Sequence, residues 1–552
     1  MTAARPVRCP RSLVVWLCVL FVSTGIAPAF ADAMSAGSDV SIAQTLGDRE
    51  LTIVLRRVTA VPGPLRVDIV THTGSPEGRV ILEVAPTGAA HESPAAPAPG
   101  ASTARADVDL GRSPGMYSAT VPVDRAGPWE LAVGDGVRVA RIPFLVAEQV
   151  TAPPERLVYG GFLTAGLLLL VSVLVAVRAR RTVWALLPAS GVVAAVAVAV
   201  TAAVLSAALP LPPQPGIALD PTMDNVADPY SLNQPLIADF SRPPAMLVVE
   251  GDPLIAGQPG DLGLGLIDGA TGAPVDDLLI HDSALMHLLV IGPTGELEHL
   301  HPIRTGPGHY QVHLAAPQPG RYALSAELVR RGGGVQMVRA ATGFMVSAGE
   351  SAGVSPAAPQ ALIHLDGATT TGSMMMGDTL VTATTTPPTA AAPVTITVAI
   401  GDTADLQPWL GMVGHLIVAG PLSAAGSADA AAAVPNSPVW GHAHSMGAMP
   451  SPGLRDMPPG SHTMPGMHGT GSVPRGTAHA DTTMSRMLMP PVNGESAPDE
   501  TVAAYGPDVP FTYTFPMAGS YRLWIQVERH YTILTVPVLL DIGADSTRGP
   551  GR

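Results

Sequence analysis

The 552-residue chain contains no lysine, so all 30 of its basic residues are arginines. Without a lysine amine it can form neither a Schiff base nor the phosphate-binding loop that closes on Gly-Lys-Ser/Thr. Its net charge is −14, and no arginine run approaches a nucleic-acid footprint, so no nucleic-acid partner is expected. Cysteine is almost as scarce: Cys9 and Cys18 are the two present, and both lie near the N-terminus. If that segment is removed, the chain has no sulfur for a disulfide, a thiolate nucleophile or a His/Cys blue-copper site. Aromatics make up 4% and charged residues 13% of a chain that is 47% hydrophobic, with 58 Gly and 57 Pro. Such a composition disfavours long soluble helices and favours short strands, many turns and cores of small aliphatic and β-branched side chains.

Residues 1–33 have the pattern of a secretory signal peptide: Arg5, Arg8 and Arg11, an apolar run from Leu13 to Ile26, and small residues from Ala29 to Ala33. Further on, residues 157–177 and 183–209 carry no charge, 21 and 27 residues respectively. At ~1.5 Å per residue each can cross a hydrocarbon core of ~30 Å. Arg178, Arg180 and Arg181 lie between them, and the positive-inside rule puts that turn in the cytoplasm. The expected topology is a transmembrane hairpin over 157–209 in the cell membrane, with both flanking regions extracytoplasmic. Neither span contains a charged residue that would suggest transport.

One hairpin pattern recurs three times. Ala126-Gly127-Pro128-Trp129, Pro319-Gly320-Arg321-Tyr322 and Ala518-Gly519-Ser520-Tyr521 each pair a small residue or proline with Gly, place an aromatic two positions on, and lead into alternating apolar residues. An alternating strand precedes each copy, at Tyr117 to Val123, Tyr310 to Leu314 and Phe511 to Phe515. The expected fold is therefore mainly β: three immunoglobulin-like β-sandwich modules plus the two-helix transmembrane hairpin. The modules are placed at 49–148, 246–347 and 361–545, the last with a Met/His-rich insertion over 423–505. On Gly115-Met116-Tyr117 and the Ala126-Gly127-Pro128-Trp129 hairpin, the first module resembles the YtkA-like and FixH-like extracytoplasmic modules. That resemblance implies a β-sandwich found in metal and respiratory-oxidase contexts, and it assigns no functional residue here.

Modules two and three share a further correspondence. Asp277-Leu278 stands ten residues before His287, and Asp405-Leu406 ten before His415. A His-x-His pair follows in each, His299/His301 and His442/His444. Alternate strand residues share a face, about 7 Å apart, and a neighbouring strand lies ~4.8 Å away, so His287 can join His299 and His301 around one ion. His415, His442 and His444 would make a twin site. Imidazole suits copper, zinc, iron or nickel. His309 and His313 alternate with Tyr310, Val312 and Leu314 and are expected on a solvated face.

The insertion carries Met446, Met449, Met457, Met464, Met467, Met484, Met487 and Met489 among His462, His468 and His479, with frequent Pro and Gly. Thioether sulfur is a soft donor, so Met446/Met449 and Met464/Met467 with His468 suit Cu(I). The segment resembles the Met/His-rich stretches of periplasmic copper-resistance proteins. Gly349-Glu350-Ser351-Ala352-Gly353 matches a nucleophile-elbow pattern, but Pro356 and Pro359 follow where a helix is needed, so no enzyme is expected. The leading expectation is a membrane-anchored extracytoplasmic protein for copper buffering, delivery or resistance, with zinc also compatible. The alternatives are a structural or interaction ectodomain with no metal role, its sandwich edges presented to another membrane protein, and an assembly factor for a copper-containing membrane oxidase.

Overall fold

A computed structural model describes residues 39–87, 102–146, 153–179, 181–208, 244–330, 334–349, 361–422, 433–434, 437–445 and 499–544. The N-terminal segment read as a signal and the methionines from Met446 to Met489 lie outside the described residues.

The fold is mainly β, with three sandwiches and one helical hairpin. The first sandwich packs two four-stranded antiparallel sheets. It begins with Val40–Leu46, a strand ahead of the boundary expected from sequence, which pairs with Arg49–Leu55. In the second sandwich, the strand Met286–Ile291 lies between Leu297–Leu300 and Gly320–Arg330. In the third, Gly414–Leu422 lies between Val439–Ser445 and Gly519–Arg529. The strand Val439–Ser445 falls within the expected insertion and completes the sheet.

In these sheets, strand alternation supplies two different burial surfaces. Leu288 and Val290 enter the second module's own core, and Leu416 and Val418 enter the third's. The residues between them, Leu289 and Ile291 in one strand and Ile417 and Ala419 in the other, are fully buried as well, but against each other and against Leu297, Ala323 and Trp524. The outer faces of two equivalent sheets are thus packed together, and Trp524 donates its indole N–H to the Gly295 carbonyl at 2.8 Å. Both faces of each central strand are covered, which explains near-continuous apolar runs such as Leu288-Leu289-Val290-Ile291.

The first module closes one end of this arrangement. The Ala43 amide donates to the Ser283 carbonyl at 2.7 Å and the Thr45 amide to the His301 carbonyl at 2.8 Å. Arg138 reaches Asp261 and His313 across the same boundary. His313, expected on a solvated face, is instead an interface residue, 2.5 Å from Asp261 and 10% exposed, while His309 is exposed. Met374, Met375 and Met376 lie on Thr371–Met376, an edge strand.

The two helices, Pro153–Arg178 and Leu186–Ala208, are long and apolar enough to cross a membrane. They touch where side chains are small: a Cβ on Gly161 would meet the Ala199 side chain at 2.8 Å. Their other flanks expose Leu163, Leu170, Val193 and Val204, the surface that a bilayer would cover.

Where the first module meets the third, His72 points its Nδ1 at Glu528, 2.5 Å away and fully buried. Burial opposes charge on the ring, but the hydrogen bond and charge of Glu528, joined by Glu500 and Glu50, raise its pKa to about 9. Burial also raises Glu500, to about 7, with His72 opposing. Both groups hold protons in the folded state that the unfolded chain has released, so this interface loses stability as pH rises through about 7 and then about 9. The urea unfolding free energy of the detergent-solubilised chain should fall by about 2–3 kcal/mol between roughly pH 6 and pH 10. His72→Asn should flatten much of that slope.

Candidate metal centre

At the other end of the outer-face contact between modules two and three, leucine and isoleucine give way to histidine. His287 shares a strand face with Leu289 and Ile291, and His415 shares one with Ile417 and Ala419. Next to them, Leu289 pairs with His299 and His415 pairs with His444. The two trios expected as twin sites therefore come together in one buried cluster. Ring centroids lie 5.2 Å apart for His299 and His442, 5.5 Å for His287 and His442, and 5.6 Å for His299 and His415. The adjacency of the two trios could not be read from either module alone, because the outer face of a sheet says nothing about which surface will cover it.

The contacts are reciprocal across the interface. His299 Nδ1 lies 2.9 Å from Gln526 Oε1, and His442 Nδ1 lies 3.1 Å from Glu327 Oε2. Glu327 stands opposite His287 in its sheet and Gln526 opposite His415 in the other, so the two are equivalent positions. His287 Nε2 donates to the His281 carbonyl and His415 Nε2 to the Trp409 carbonyl, each at 3.1 Å. Arg330 with Asp277 and Arg529 with Asp405 repeat the same ion pair. This is the pattern of an isologous contact, here between two modules of one chain.

Each imidazole is fixed through one nitrogen. His301 Nδ1 is held by Glu50 of the first module at 2.5 Å, and His444 Nδ1 faces Asp282 at 3.4 Å. Six nitrogens remain for the interior: Nδ1 of His287 and His415, and Nε2 of His299, His301, His442 and His444. The Nε2 atoms of His301 and His444 are buried without a protein partner, an arrangement costing about 1–3 kcal/mol each unless something binds there. Ligand atoms of His287, His299 and His301 all lie within 4.8 Å of one another, as do those of His299, His415 and His442, and those of His281, Asp282 and Glu327. Imidazoles whose second nitrogen is held by a carboxylate, amide or carbonyl are oriented as metal ligands are.

Burial dominates the electrostatics. It lowers the pKa of His287, His299 and His415 well below the ordinary histidine value, and neighbouring imidazoles add to the effect. His444 is lowered to about 4, by burial and then by His442. Burial would raise Glu327 and Asp282, but the facing histidines bring both down to about 2. His287, His299, His415 and His444 thus favour the neutral, ligating form, with Glu50, Asp282 and Glu327 beside the cluster.

Reading the trios alone missed Glu50, His281, Asp282, Glu327, Trp409 and Gln526. Glu327 and Gln526 did carry a signal: each is the seventh residue after the repeated hairpin glycine, Gly320 or Gly519, and is polar within an apolar strand. Glu50 carried none, because it comes from another module. The expected ligands Met446, Met449, Met464, Met467 and His468 lie outside the described residues.

No family model and no curated protein matches this chain. Among solved structures it is similar to the Lin-41 filamin domain, at 18% identity over 18% of this chain and 97% of that one, TM-score 0.13. It is also similar to FdeC, an Escherichia coli adhesin, at 11% identity over 92% of this chain and 98% of that one, TM-score 0.14. Invasin, a bacterial integrin-binding protein, is 8% identical over 92% and 60%, TM-score 0.13. At these values the likeness bears on neither site nor partner, and the sandwich architecture rests on the strand pairing.

Because the folded protein resists protonation of His287, His299 and His415, the unfolded chain takes up more protons below the ordinary value of 6.5. Stability at this interface should therefore fall as pH drops from 6.5, opposite in sign to the His72 contact. Urea unfolding between roughly pH 7 and pH 4.5 would measure the loss, and a His287→Asn/His415→Asn double variant should shed part of the slope.

Proposed function

We propose that the chain is a membrane-anchored, extracytoplasmic metal-binding protein that handles copper, by buffering, delivery or resistance, through ligand exchange and without turning over a substrate. The observation that carries this reading is the set of six inward nitrogens, each on an imidazole tethered through its other nitrogen. Burying so many imidazoles brings little packing gain over leucine, which fills the rest of the same interface. Late first-row ions suit such a set. Copper is favoured over zinc by the thioether-rich sequence between Met446 and Met489, which begins two residues after His444. The resemblance of the first module to YtkA-like and FixH-like modules agrees with an extracytoplasmic metal context.

The purified chain, in detergent, would be titrated with Cu(I), Cu(II) and Zn(II) against competing chelators. Binding tighter than about micromolar is expected, weakened at least about tenfold in His299→Ala/His442→Ala. Failure of wild type to bind any of the three ions at that level would sink the reading. Undiminished affinity in the double variant would move the site away from the cluster.

A further inference from the structure

We propose that the cluster is a two-metal centre, holding one ion on His287 Nδ1, His299 Nε2 and His301 Nε2 and a second on His415 Nδ1, His442 Nε2 and His444 Nε2. The proposal rests on the metal-binding reading above and adds the number of ions and their ligands. Two equal contacts carry it. His287 Nδ1 lies 3.2 Å from His299 Nε2, and His415 Nδ1 lies 3.3 Å from His442 Nε2. Two nitrogens bound to one tetrahedral ion at ~2.0–2.1 Å are ~3.3 Å apart, so each contact has the length of one edge of a coordination tetrahedron. One such edge lies in each module, at equivalent positions.

A third imidazole stands beside each edge. The ring of His301 is 5.2 Å from His287 and 5.0 Å from His299, and that of His444 is 5.0 Å from His415 and 4.4 Å from His442. These are the two histidines whose buried Nε2 has no protein partner. Each half-site thus has two nitrogens at ligand spacing and a third with nothing else to bind. Among the described residues, the imidazole nitrogens that all lie within 4.8 Å of one another are those of His287, His299 and His301 and those of His299, His415 and His442, while His444 stands beside the second group through its ring contacts with His415 and His442. His299 is within ligand distance of both halves, in a triplet with His287 and His301 and in another with His415 and His442, so the two ions would be neighbours.

The surrounding charge suits two cations. Glu50, Asp282 and Glu327 present carboxylates to His301, His444 and His442. These carboxylates, Glu327 buried and Glu50 and Asp282 half-buried, would offset the repulsion between adjacent ions. The halves are not identical. His299 is held by the Gln526 amide where its counterpart His442 is held by the Glu327 carboxylate, so the second half-site should bind a divalent ion more tightly.

The test counts ions in the full chain in detergent, using Zn(II), which thioethers do not hold, on a background in which His462, His468 and His479 are replaced by alanine. After removal of free metal, atomic emission should give two zinc ions per chain. His301→Asn and His444→Asn should each lose one ion and keep the other. One ion per chain in the background protein would overturn the two-metal centre and leave the metal-binding reading standing, whereas none would overturn both. If either variant fails to fold, the count in the background protein still decides.

Discussion

Two equivalent sheets, each already committed on its inner side to its own sandwich, meet through their outer sides, and the histidine cluster exists only because they do. Leu289, Ile291, Leu297, Ile417 and Trp524 make the contact at one end, each large side chain contributing about 1.5–3 kcal/mol by leaving water. That apolar end brings the imidazoles of the other end together, where burial, crowding and unpartnered nitrogens all work against association. The hydrophobic half of the contact thus holds the polar half closed.

The same contact explains why the first module is present in the assembly although it has no histidine trio. Its Glu50 holds His301, its Thr45 bonds the His301 backbone in both directions, and its Ala43 joins Trp409 and Leu410 over the cluster. The module serves as the lid and one carboxylate of a site whose imidazoles come from its two sister modules. On its other flank, His72 and Glu528 join it to the third module with a pH response of opposite sign, so the three-module assembly is most cohesive between the two titrations.

Duplication accounts for the near-symmetry, and divergence accounts for its breaks. His281 and Asp282 correspond to Trp409 and Leu410, since His281 bridges Ala284 as Trp409 bridges Met412, with positive φ at Asp282 and Leu410. On one side of the pseudo-axis that turn delivers a carboxylate to His444, and on the other a Trp ring that packs edge-on against His299 and His415. The same turn thus places a carboxylate against the cluster in one module and an apolar ring against it in the other.

Local patterning was enough to read the strands, the hairpin repeat, the two apolar helices and the matched histidines, since a period of two and a 20-residue apolar run are properties of contiguous sequence. The pairing of Met286–Ile291 with Leu297–Leu300 followed from the same rules, and with it the grouping of His287 with His299. Tertiary structure alone decided that the two trios share one site, that His313 is an interface residue, and that Glu50 belongs to the cluster from about 250 residues away in the chain. An outward-facing side chain has no partner within its own module, so its environment is set by which module docks on it, and that depends on the shape and chemistry of whole surfaces, which residue spacing does not encode.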